Sequence, residues 1–180
     1  LLGSAVAVGV GEIVFQHEIE RPAAVVERLL EFPLDGPTDL RDGPRVRQLT
    51  LKARADRVDL LADGTFRLID YKLSHAPDVG RAVQLPAYAA AVRARLAGHR
   101  GRDWRASEAA YVTFGRPPHT SRLANEAATL DAVLAEGEAR FVKAVEQIEA
   151  GVFPPRPTDR RLCASCPYSA VCRKDYVDEA

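Results

Sequence analysis

The 180-residue sequence has little of several features, and each shortage excludes a class of protein. It contains no methionine, even at its first position, so we expect it to be a piece of a longer protein. Three cysteines are too few for a disulfide scaffold, and their close spacing favours a metal or cluster in a reducing cytoplasm. No stretch is long and apolar enough to cross a membrane, and no signal segment is found at the start.

The chain also lacks an excess of charge of either sign, since 25 basic residues balance 25 acidic ones. This balance argues against an independent protein that binds DNA tightly and non-specifically. It does not exclude a protein whose DNA is delivered by a neighbouring domain, because the basic residues are clustered locally. The length and the ordinary apolar content predict a soluble globular protein with a substantial core.

What the sequence does have is a short apolar and aromatic stretch that carries two charges. This stretch, Phe66–Leu73, follows an Asp63-Gly64 turn and is typical of a buried strand. Asp70 and Lys72 point to the same face, because side chains alternate across a strand. Buried charges cost free energy unless they are paired or bind something. The residues alone allow a salt-bridged edge strand or a catalytic carboxylate–lysine pair.

The preceding segment, Leu49–Leu61, also resembles a strand, and the loop between the two decides which residue faces Asp70. A two-residue loop would place Arg57 there, whereas a three-residue loop with Gly64 in the left-handed conformation would place Asp56 there. Only the three-residue loop separates an apolar face with a charged end from a mostly solvated face. The apolar face then carries Val58, Leu60, Phe66 and Leu68 and ends in Asp56, Asp70 and Lys72. The solvated face carries Arg57, Asp59, Arg67, Ile69 and Tyr71.

Two facing carboxylates beside a lysine predict a site for a divalent metal ion. Hard oxygen ligands favour Mg²⁺, Mn²⁺ or Ca²⁺ over zinc. Such an ion can bind a phosphate oxygen, activate a water and neutralise charge as a phosphodiester breaks. Lys72 can orient or deprotonate the water, or stabilise the developing negative charge. Asp59 is expected to face away from this site and to pair with Arg57 or Arg67.

Three motifs follow one another in the order of a known family: Asp56-Arg57-Val58-Asp59, Ile69-Asp70-Tyr71-Lys72 and Gln84-Leu85-Pro86-Ala87-Tyr88. Between Arg47 and Lys174, the chain resembles the PD-(D/E)XK nucleases of the RecB-like branch. That branch has a G-x-x-D-R-x-D strand, a D-Y-K strand and a Q-x-x-x-Y helix. The cysteines near the C-terminus are similar to those of its iron–sulfur subgroup, which includes AddB-type helicase–nuclease subunits and CRISPR adaptation nucleases.

The resemblance implies a fold, an activity and a set of site residues. The fold is a restriction-endonuclease-like α/β core, in which a central mixed sheet with an antiparallel hairpin is flanked by helices. The activity is that of a Mg²⁺- or Mn²⁺-dependent deoxyribonuclease, expected to be an exonuclease on single-stranded or unwound DNA. The implied metal ligands are Asp56, Asp70 and the carbonyl of Tyr71, and Lys72 acts on the water. The implied partner is a helicase domain or subunit in the cytoplasm, and the wider role is DNA repair.

The helix predicted over Arg81–Gly98 carries Gln84 and Tyr88 on one face, since they are four residues apart. By residue type alone, they are a solvated glutamine and a packing tyrosine. The resemblance instead places Gln84 near the attacking water or scissile phosphate and Tyr88 toward the DNA backbone. Pro86 fits this helix only in its first turns, where a missing N–H does little harm.

The C-terminal cysteines, Cys163, Cys166 and Cys172, have a C-x2-C-x5-C spacing that lets three thiolates converge on one centre. We predict a tail over residues 156–180 that follows a nuclease core over residues 1–155. The third cysteine and the resemblance favour a structural [4Fe-4S] cluster whose fourth ligand is not in this chain. The alternatives are zinc with a non-cysteine fourth ligand, or no bound cluster.

The remaining segments give weaker predictions. Residues 1–20 suggest extended structure, and family relatives carry there a helix whose His or Glu completes the metal site. His17 and Glu18 are the nearby candidates, and either is a poor match on a strand. Residues 21–47 suggest an irregular connection, apart from a short helix over Ala23–Glu31. Ser74 and His75 are candidate substrate contacts.

Two groups of arginines are candidates for phosphate contact. In the irregular connection they are Arg41, Arg45 and Arg47, for which a solvated loop is the other interpretation. At the helix end and after it they are Arg93, Arg95, Arg100, Arg102 and Arg105, for which helix-dipole pairing is the alternative. A core strand is predicted over Glu108–Phe114 and a long helix over Asn125–Ala150. Its apolar stripe of Leu130, Val133, Leu134, Phe141, Val145 and Ile148 should cover the sheet.

The competing function is a catalytically inactive DNA-binding or scaffold module. Such a module would keep the fold and the structural iron–sulfur or zinc site but hold no metal at Asp56 and Asp70. A third option is an interaction domain stapled by zinc. These functions differ in which metals the protein binds.

Overall fold

The computed structural model describes residues 9, 12, 16, 18, 19, 23–73, 75–114, 119–152 and 160–172. The chain divides into two units, residues 1–142 and 143–180, and the elements that carry the candidate site all lie in the first. The strands are β1 Val25–Pro33, β2 Gly36–Asp42, β3 Arg45–Leu51, β4 Arg54–Leu61, β5 Thr65–Lys72, β6 Arg105–Thr113 and β7 His119–Arg122. The α-helices are α1 Gln84–Arg95 and α2 Ala127–Glu149.

Five strands form a central mixed sheet in the order β1-β4-β5-β6-β7, and β2 pairs with β3 in a separate antiparallel hairpin. Strand β5 pairs antiparallel with β4 but parallel with β6. This arrangement confirms the predicted mixed α/β fold with a central sheet and an antiparallel hairpin. In the described part of the chain, no helix has the length and apolarity needed to cross a membrane.

The predicted register of β4 and β5 is confirmed. Arg57 pairs with Ile69 and Leu60 with Phe66, so one further step along each strand sets Asp56 opposite Asp70. The loop between the strands closes through a hydrogen bond from Gly64 N to Leu61 O at 3.1 Å. Gly64 has φ of 85°, a left-handed conformation that costs glycine little. The glycine therefore allows the turn that decides which carboxylate faces Asp70.

The apolar face of this hairpin forms the centre of the core, as predicted. It presents the fully buried side chains of Val58, Leu60, Phe66 and Leu68. They share one cluster with Leu85 and Ala89 of α1 and with Leu130 and Leu134 of α2. Ile148, which was predicted to cover the sheet, is 59% exposed, so that part of the prediction for α2 is wrong.

The opposite face of the hairpin is not solvated, and that prediction is wrong. Arg57 is 3% exposed, Asp59 is fully buried and Arg67 is 7% exposed. These charges are tolerated in the interior because they pair with one another. Asp59 accepts hydrogen bonds from Arg57 Nε at 2.9 Å, Arg67 Nη2 at 2.7 Å and Arg28 Nε at 2.8 Å. The expected pairing of Asp59 with Arg57 or Arg67 is confirmed, and Arg28 adds a third partner.

A residue of the N-terminal segment completes this ion cluster, which we define as Glu18, Arg28, Arg57, Asp59 and Arg67. Glu18 accepts hydrogen bonds from Arg57 Nη1 at 2.8 Å and Nη2 at 2.7 Å, and from Arg28 Nη2 at 3.2 Å. The hydrogen bond from Arg57 is the main cause that lowers the pKa of Glu18. Burial opposes ionisation of Asp59, but hydrogen bonds from Arg57, Arg28 and Arg67 outweigh it and lower its pKa to about 2.

The N-terminal quarter of the chain differs most from the sequence-based expectation. Residues 23–31 do not form a helix, because Val25–Pro33 is a strand that pairs antiparallel with β4. The predicted irregular connection contains the β2–β3 hairpin, which begins at Gly36. Glu12, Gln16, Glu18 and Ile19 are helical, so extended structure is wrong for these residues. His17 and Ser74 lie outside the described residues.

Helices α1 and α2 approach each other closely at Pro86 and Gly137. Pro86 is the third residue of α1, a position in the first turn where proline is tolerated. A Cβ atom on Gly137 would overlap the Pro86 ring and lie 3.3 Å from the Ala82 carbonyl oxygen. The absence of a side chain at Gly137 therefore lets α2 pack directly on the start of α1.

We predict that Gly137→Ala destabilises the protein. Alanine favours a helix over glycine by about 1 kcal/mol, but the overlap with Pro86 should reverse this and cost about 1–3 kcal/mol. Urea unfolding of the two proteins measures the difference. Glu136→Ala, at a neighbouring side chain that is 73% exposed, is the control and should change stability by less than about 0.5 kcal/mol. A Gly137→Ala protein as stable as the wild type would contradict the close packing.

We predict that Asp59 makes stability depend on pH in the acid range. Its pKa falls from the ordinary 3.8 to about 2 on folding, so its contribution is complete above 3.8. That contribution is lost as the pH falls toward 2. The stability of the wild type relative to Asp59→Asn should therefore shrink by about 2 kcal/mol between about pH 5 and pH 2. Urea unfolding at a series of pH values tests this, and a constant difference would contradict the ionised buried carboxylate.

Candidate active site

Asp70, Lys72 and Gln84 form a closed triad where β5 ends and α1 begins. Lys72 Nζ lies 2.6 Å from Asp70 Oδ2. Gln84 donates through Nε2 to Asp70 Oδ1 at 2.9 Å and accepts through Oε1 from Lys72 Nζ at 3.2 Å. Because Gln84 is the first residue of α1, the start of the helix fixes its position against the strand. The structure therefore brings Gln84, from the helix motif, into contact with Asp70 and Lys72 of the strand motif.

Asp56 joins this triad from the neighbouring strand. The backbone pairs of β4 and β5 end at Arg57 and Ile69. Beyond that point, the strands are joined by the Asp56 side chain, whose Oδ2 accepts a hydrogen bond from the Tyr71 backbone N at 2.7 Å. Asp56 is close enough to Asp70 for its charge to contribute to raising the pKa of Asp70. The two carboxylates thus lie at the same end of the hairpin.

Asp70 is a buried carboxylate with spare acceptor capacity. It is 3% exposed, and burial raises its pKa, while the Lys72 ammonium opposes that shift. Its Oδ2 is held in a close ion pair with the Lys72 ammonium and has no further hydrogen-bond partner among the described residues. A carboxylate oxygen has two lone pairs, so this oxygen can accept a second partner. A hard cation held by Asp56 and Asp70 would satisfy this oxygen, so the donor set fits Mg²⁺ or Mn²⁺.

The described residues do not make a complete metal-binding group on their own. None of their His, Cys, Asp and Glu side chains form a set of three or more placed to hold a metal ion. Glu18, the described candidate for an upstream ligand, is bonded to Arg57 and Arg28. Arg57 projects to the opposite face of β4 from Asp56, because neighbouring side chains alternate. Glu18 is therefore held on the face away from Asp70.

Tyr111 forms a wall of the site that sequence reasoning missed. It pairs with Asp70 across the parallel β5–β6 ladder and is fully buried. Lys72 Nζ lies 5.6 Å from the centroid of its ring, within the range of a cation–π contact. Burial, followed by the Asp70 charge, raises the pKa of Tyr111 to about 12. The strand that carries Tyr111 was recognised, but its parallel pairing with β5 leaves no signal in the sequence.

Tyr88 lies one turn after Gln84 on α1, and its half-buried side chain packs against the hydrophobic core. This contact agrees with the interpretation of Tyr88 as a packing residue. Its role toward a DNA backbone stays a prediction. Among the candidate substrate contacts that follow β5, His75 is exposed.

Several predicted phosphate-binding arginines have partners within the protein. Arg93 Nη2 lies 2.8 Å from Glu138 Oε1, and Arg95 Nη2 donates to the Pro37 carbonyl at 3.2 Å. Arg100 Nε lies 3.2 Å from Glu27 Oε2. Arg93 and Arg95 also occupy the last turn of α1, where cations favour the helix dipole. These contacts favour a role within the fold over phosphate contact for these three arginines.

The cysteines lie in the second unit, where all three are free and half-buried. Cys163 belongs to a short 3-10 helix, Arg160–Ser165, and Cys166 N donates to the Cys163 carbonyl at 3.4 Å. Cys163, Cys166 and Cys172 do not form a three-thiolate centre within the described part of the chain. The predicted convergence is therefore not seen there, although their free thiols suit a metal or a cluster.

Comparison with known proteins supports the superfamily that the three motifs indicated. Among curated proteins, none matches the chain. Residues 7–173 match the model of the PD-(D/E)XK nuclease superfamily. This match spans nearly the whole chain and includes all three motifs that carried the resemblance. The RecB-like branch and the iron–sulfur subgroup stay predictions. The chain belongs to the PD-(D/E)XK nuclease superfamily.

Proposed function

We propose that this nuclease is a metal-dependent deoxyribonuclease that hydrolyses phosphodiester bonds in single-stranded or unwound DNA. The carrying observation is the closed triad of Asp70, Lys72 and Gln84, with Asp56 held beside it on the Tyr71 amide. A carboxylate pair, an ammonium and an amide at one point of a buried sheet are costly for a protein without a ligand there. Superfamily membership supports nuclease chemistry at this point.

Asp56 and Asp70 are the residues that would hold Mg²⁺ or Mn²⁺, with the Tyr71 carbonyl as a backbone ligand. The bound ion supplies charge neutralisation at the phosphodiester and a water of lowered pKa. Support for Asp70 comes from its buried Oδ2, which is paired with the Lys72 ammonium and can still accept a cation. Support for Asp56 comes from its Tyr71 contact, which occupies Oδ2 and orients the carboxylate.

Lys72 and Gln84 would act on the reacting groups. Lys72 Nζ is held between Asp70 and Gln84, and an ammonium is a donor of hydrogen bonds. Lys72 therefore orients the attacking water or stabilises negative charge on the phosphate oxygens. Gln84 holds the Lys72 ammonium and the Asp70 carboxylate at a fixed separation and lies near the water or the scissile phosphate. Tyr88 extends the same helical face toward the DNA backbone.

The wider setting of the protein is proposed from the motif resemblance and the charge balance. A chain with no net charge gains little non-specific affinity for DNA. Delivery of the strand by a helicase domain or subunit would remove the need for such affinity. This setting fits an exonuclease of the RecB-like branch in cytoplasmic DNA repair, with a nuclease core over 1–155 and a cysteine tail over 156–180.

We predict that Asp70→Asn and Lys72→Met each lower Mn²⁺-dependent cleavage of end-labelled single-stranded DNA by at least about 100-fold. Asp70→Asn removes a metal ligand, and Lys72→Met removes the cation beside the phosphate, while both keep the side-chain volume. Asp39→Asn and Lys52→Met are matched controls at exposed positions and should cleave like the wild type. The assay uses the natural full-length protein and follows product length over time, which also separates exonuclease from endonuclease action.

Mn²⁺ titration calorimetry separates the nuclease from the inactive scaffold. A nuclease should bind Mn²⁺ in a way that Asp70→Asn abolishes and Asp39→Asn leaves intact. A folded wild-type protein that neither binds Mn²⁺ nor cleaves DNA would overturn the proposed activity and favour the scaffold.

We predict that the protein purified without oxygen contains iron and acid-labile sulfide and absorbs broadly in the visible range. Cys166→Ala should remove most of the iron and the absorption, because each cluster iron needs its thiolate ligand. Ser165→Ala, at the adjacent residue, is the control and should retain both. Zinc in place of iron would favour the stapled interaction domain, and the absence of both metals would contradict a metal centre in the tail.

A further inference from the structure

The ion cluster behind the candidate site reaches it through one hydrogen bond. Arg57 Nη1 donates to Tyr71 Oη at 3.0 Å. The other hydrogen bonds of the same guanidinium go to Asp59 and Glu18. Arg57 is 3% exposed, so a planar fork of donors is held in the interior with its orientation fixed by two carboxylates. The phenol of Tyr71 is therefore bonded to a rigid partner.

Tyr71 is held at three points. Its hydroxyl bonds to Arg57, and its ring stacks on Phe114 with centroids 5.3 Å apart and an interplanar angle of 21°. Its backbone N donates to the Asp56 carboxylate at 2.7 Å. Asp70 and Lys72 are its immediate neighbours in the chain and project to the other face of β5. A shift of the Tyr71 backbone would therefore move both of these side chains and the donor that holds Asp56.

The hydrogen bonds of Tyr71 to Arg57 and Asp56 join β4 and β5 beyond the end of their backbone ladder. The backbone pairs of β4 and β5 stop at Arg57 and Ile69, one residue before the two carboxylates. Past this point, Arg57 contacts the Tyr71 side chain on one face, while the Asp56 side chain bonds the Tyr71 amide. Together the two bonds tie β4 to β5 where the backbone ladder does not.

We infer that Arg57 is a positioning residue that acts through the Tyr71 hydroxyl. It fixes the Tyr71 backbone, and the fixed amide holds the Asp56 carboxylate beside Asp70. This role rests on the proposed function insofar as Asp56 and Asp70 bind a metal ion. A tyrosine kept for packing alone would need only its ring, which a phenylalanine supplies equally well.

The test removes the hydroxyl and leaves the ring. Tyr71→Phe should keep the stacking on Phe114 but lose the bond to Arg57. Hydrogen exchange of the amide at residue 71, measured by NMR without metal, should become about tenfold faster. The Mn²⁺ affinity from calorimetry should fall on the order of tenfold, as it does when supporting residues of metal sites are removed.

Arg28→Gln is the matched control, since Arg28 bonds Asp59 and Glu18 of the same cluster and makes no hydrogen bond to Tyr71. It should lower the melting temperature and leave both the residue-71 amide exchange and the Mn²⁺ affinity unchanged. Equal effects of Arg28→Gln and Tyr71→Phe on exchange would mean that the cluster acts through general stability and would overturn the positioning role. Unchanged exchange in Tyr71→Phe would overturn it as well.

A conservative variant tests whether Arg57 acts through the Tyr71 hydroxyl. Arg57→Lys keeps the charge but loses the fork of donors, so it should speed amide exchange at least as much as Tyr71→Phe. The double variant should exchange no faster than Arg57→Lys, because both changes break the same link. Additive effects would contradict this link. If the wild type binds no Mn²⁺, the proposed function fails, while the exchange measurement still decides the positioning role.

Discussion

The buried carboxylate of Asp59 constrains three strands at once. It accepts hydrogen bonds from Arg28 on β1, Arg57 on β4 and Arg67 on β5. Removal of Asp59 would leave Arg57 and Arg67 buried with only Glu18 to balance three arginines, and unpaired buried charge is far more costly than the net gain from the intact pairs. A slip of either neighbouring strand by one residue would turn its arginine to the other face. The ion cluster thus stabilises one register against its alternatives, and that register sets Asp56 opposite Asp70.

The candidate site and the ion cluster use the two faces of the same hairpin. Alternation sends Asp56, Asp70 and Lys72 to one face and Arg57, Asp59 and Tyr71 to the other. The core face supplies a buried wall under the site, including Tyr111. The ionic face, which carries the ion cluster, holds the β5 backbone through the hydrogen bond from Arg57 to Tyr71. Arg57 thus reaches the site residues through Tyr71, whose amide holds Asp56.

The hairpin and its site residues could be predicted from sequence because their signals are local. A glycine at the turn and the alternation of apolar residues were sufficient to select Asp56. The ionic face was mistaken for a solvated one, since Arg57 and Asp59 have the same polarity whether they meet water or each other. The strand at Val25–Pro33 was mistaken for a helix because its pairing with β4 is a tertiary contact. The hydrogen bond that Arg57 donates to Glu18 joins residues 39 positions apart and depends on tertiary packing in the same way.

The charges on the two faces are balanced differently. On the ionic face, three arginines meet two carboxylates, and nearly every charged group has a directed partner. On the site face, the two carboxylates of Asp56 and Asp70 meet the single ammonium of Lys72, which is paired with the buried Oδ2 of Asp70. The buried charges opposite the site are almost fully paired by protein groups, whereas the two carboxylates at the site share one cation. The deficit of positive charge beside Asp70 therefore argues for a function, and a divalent cation followed by a phosphodiester is the ligand that this deficit fits.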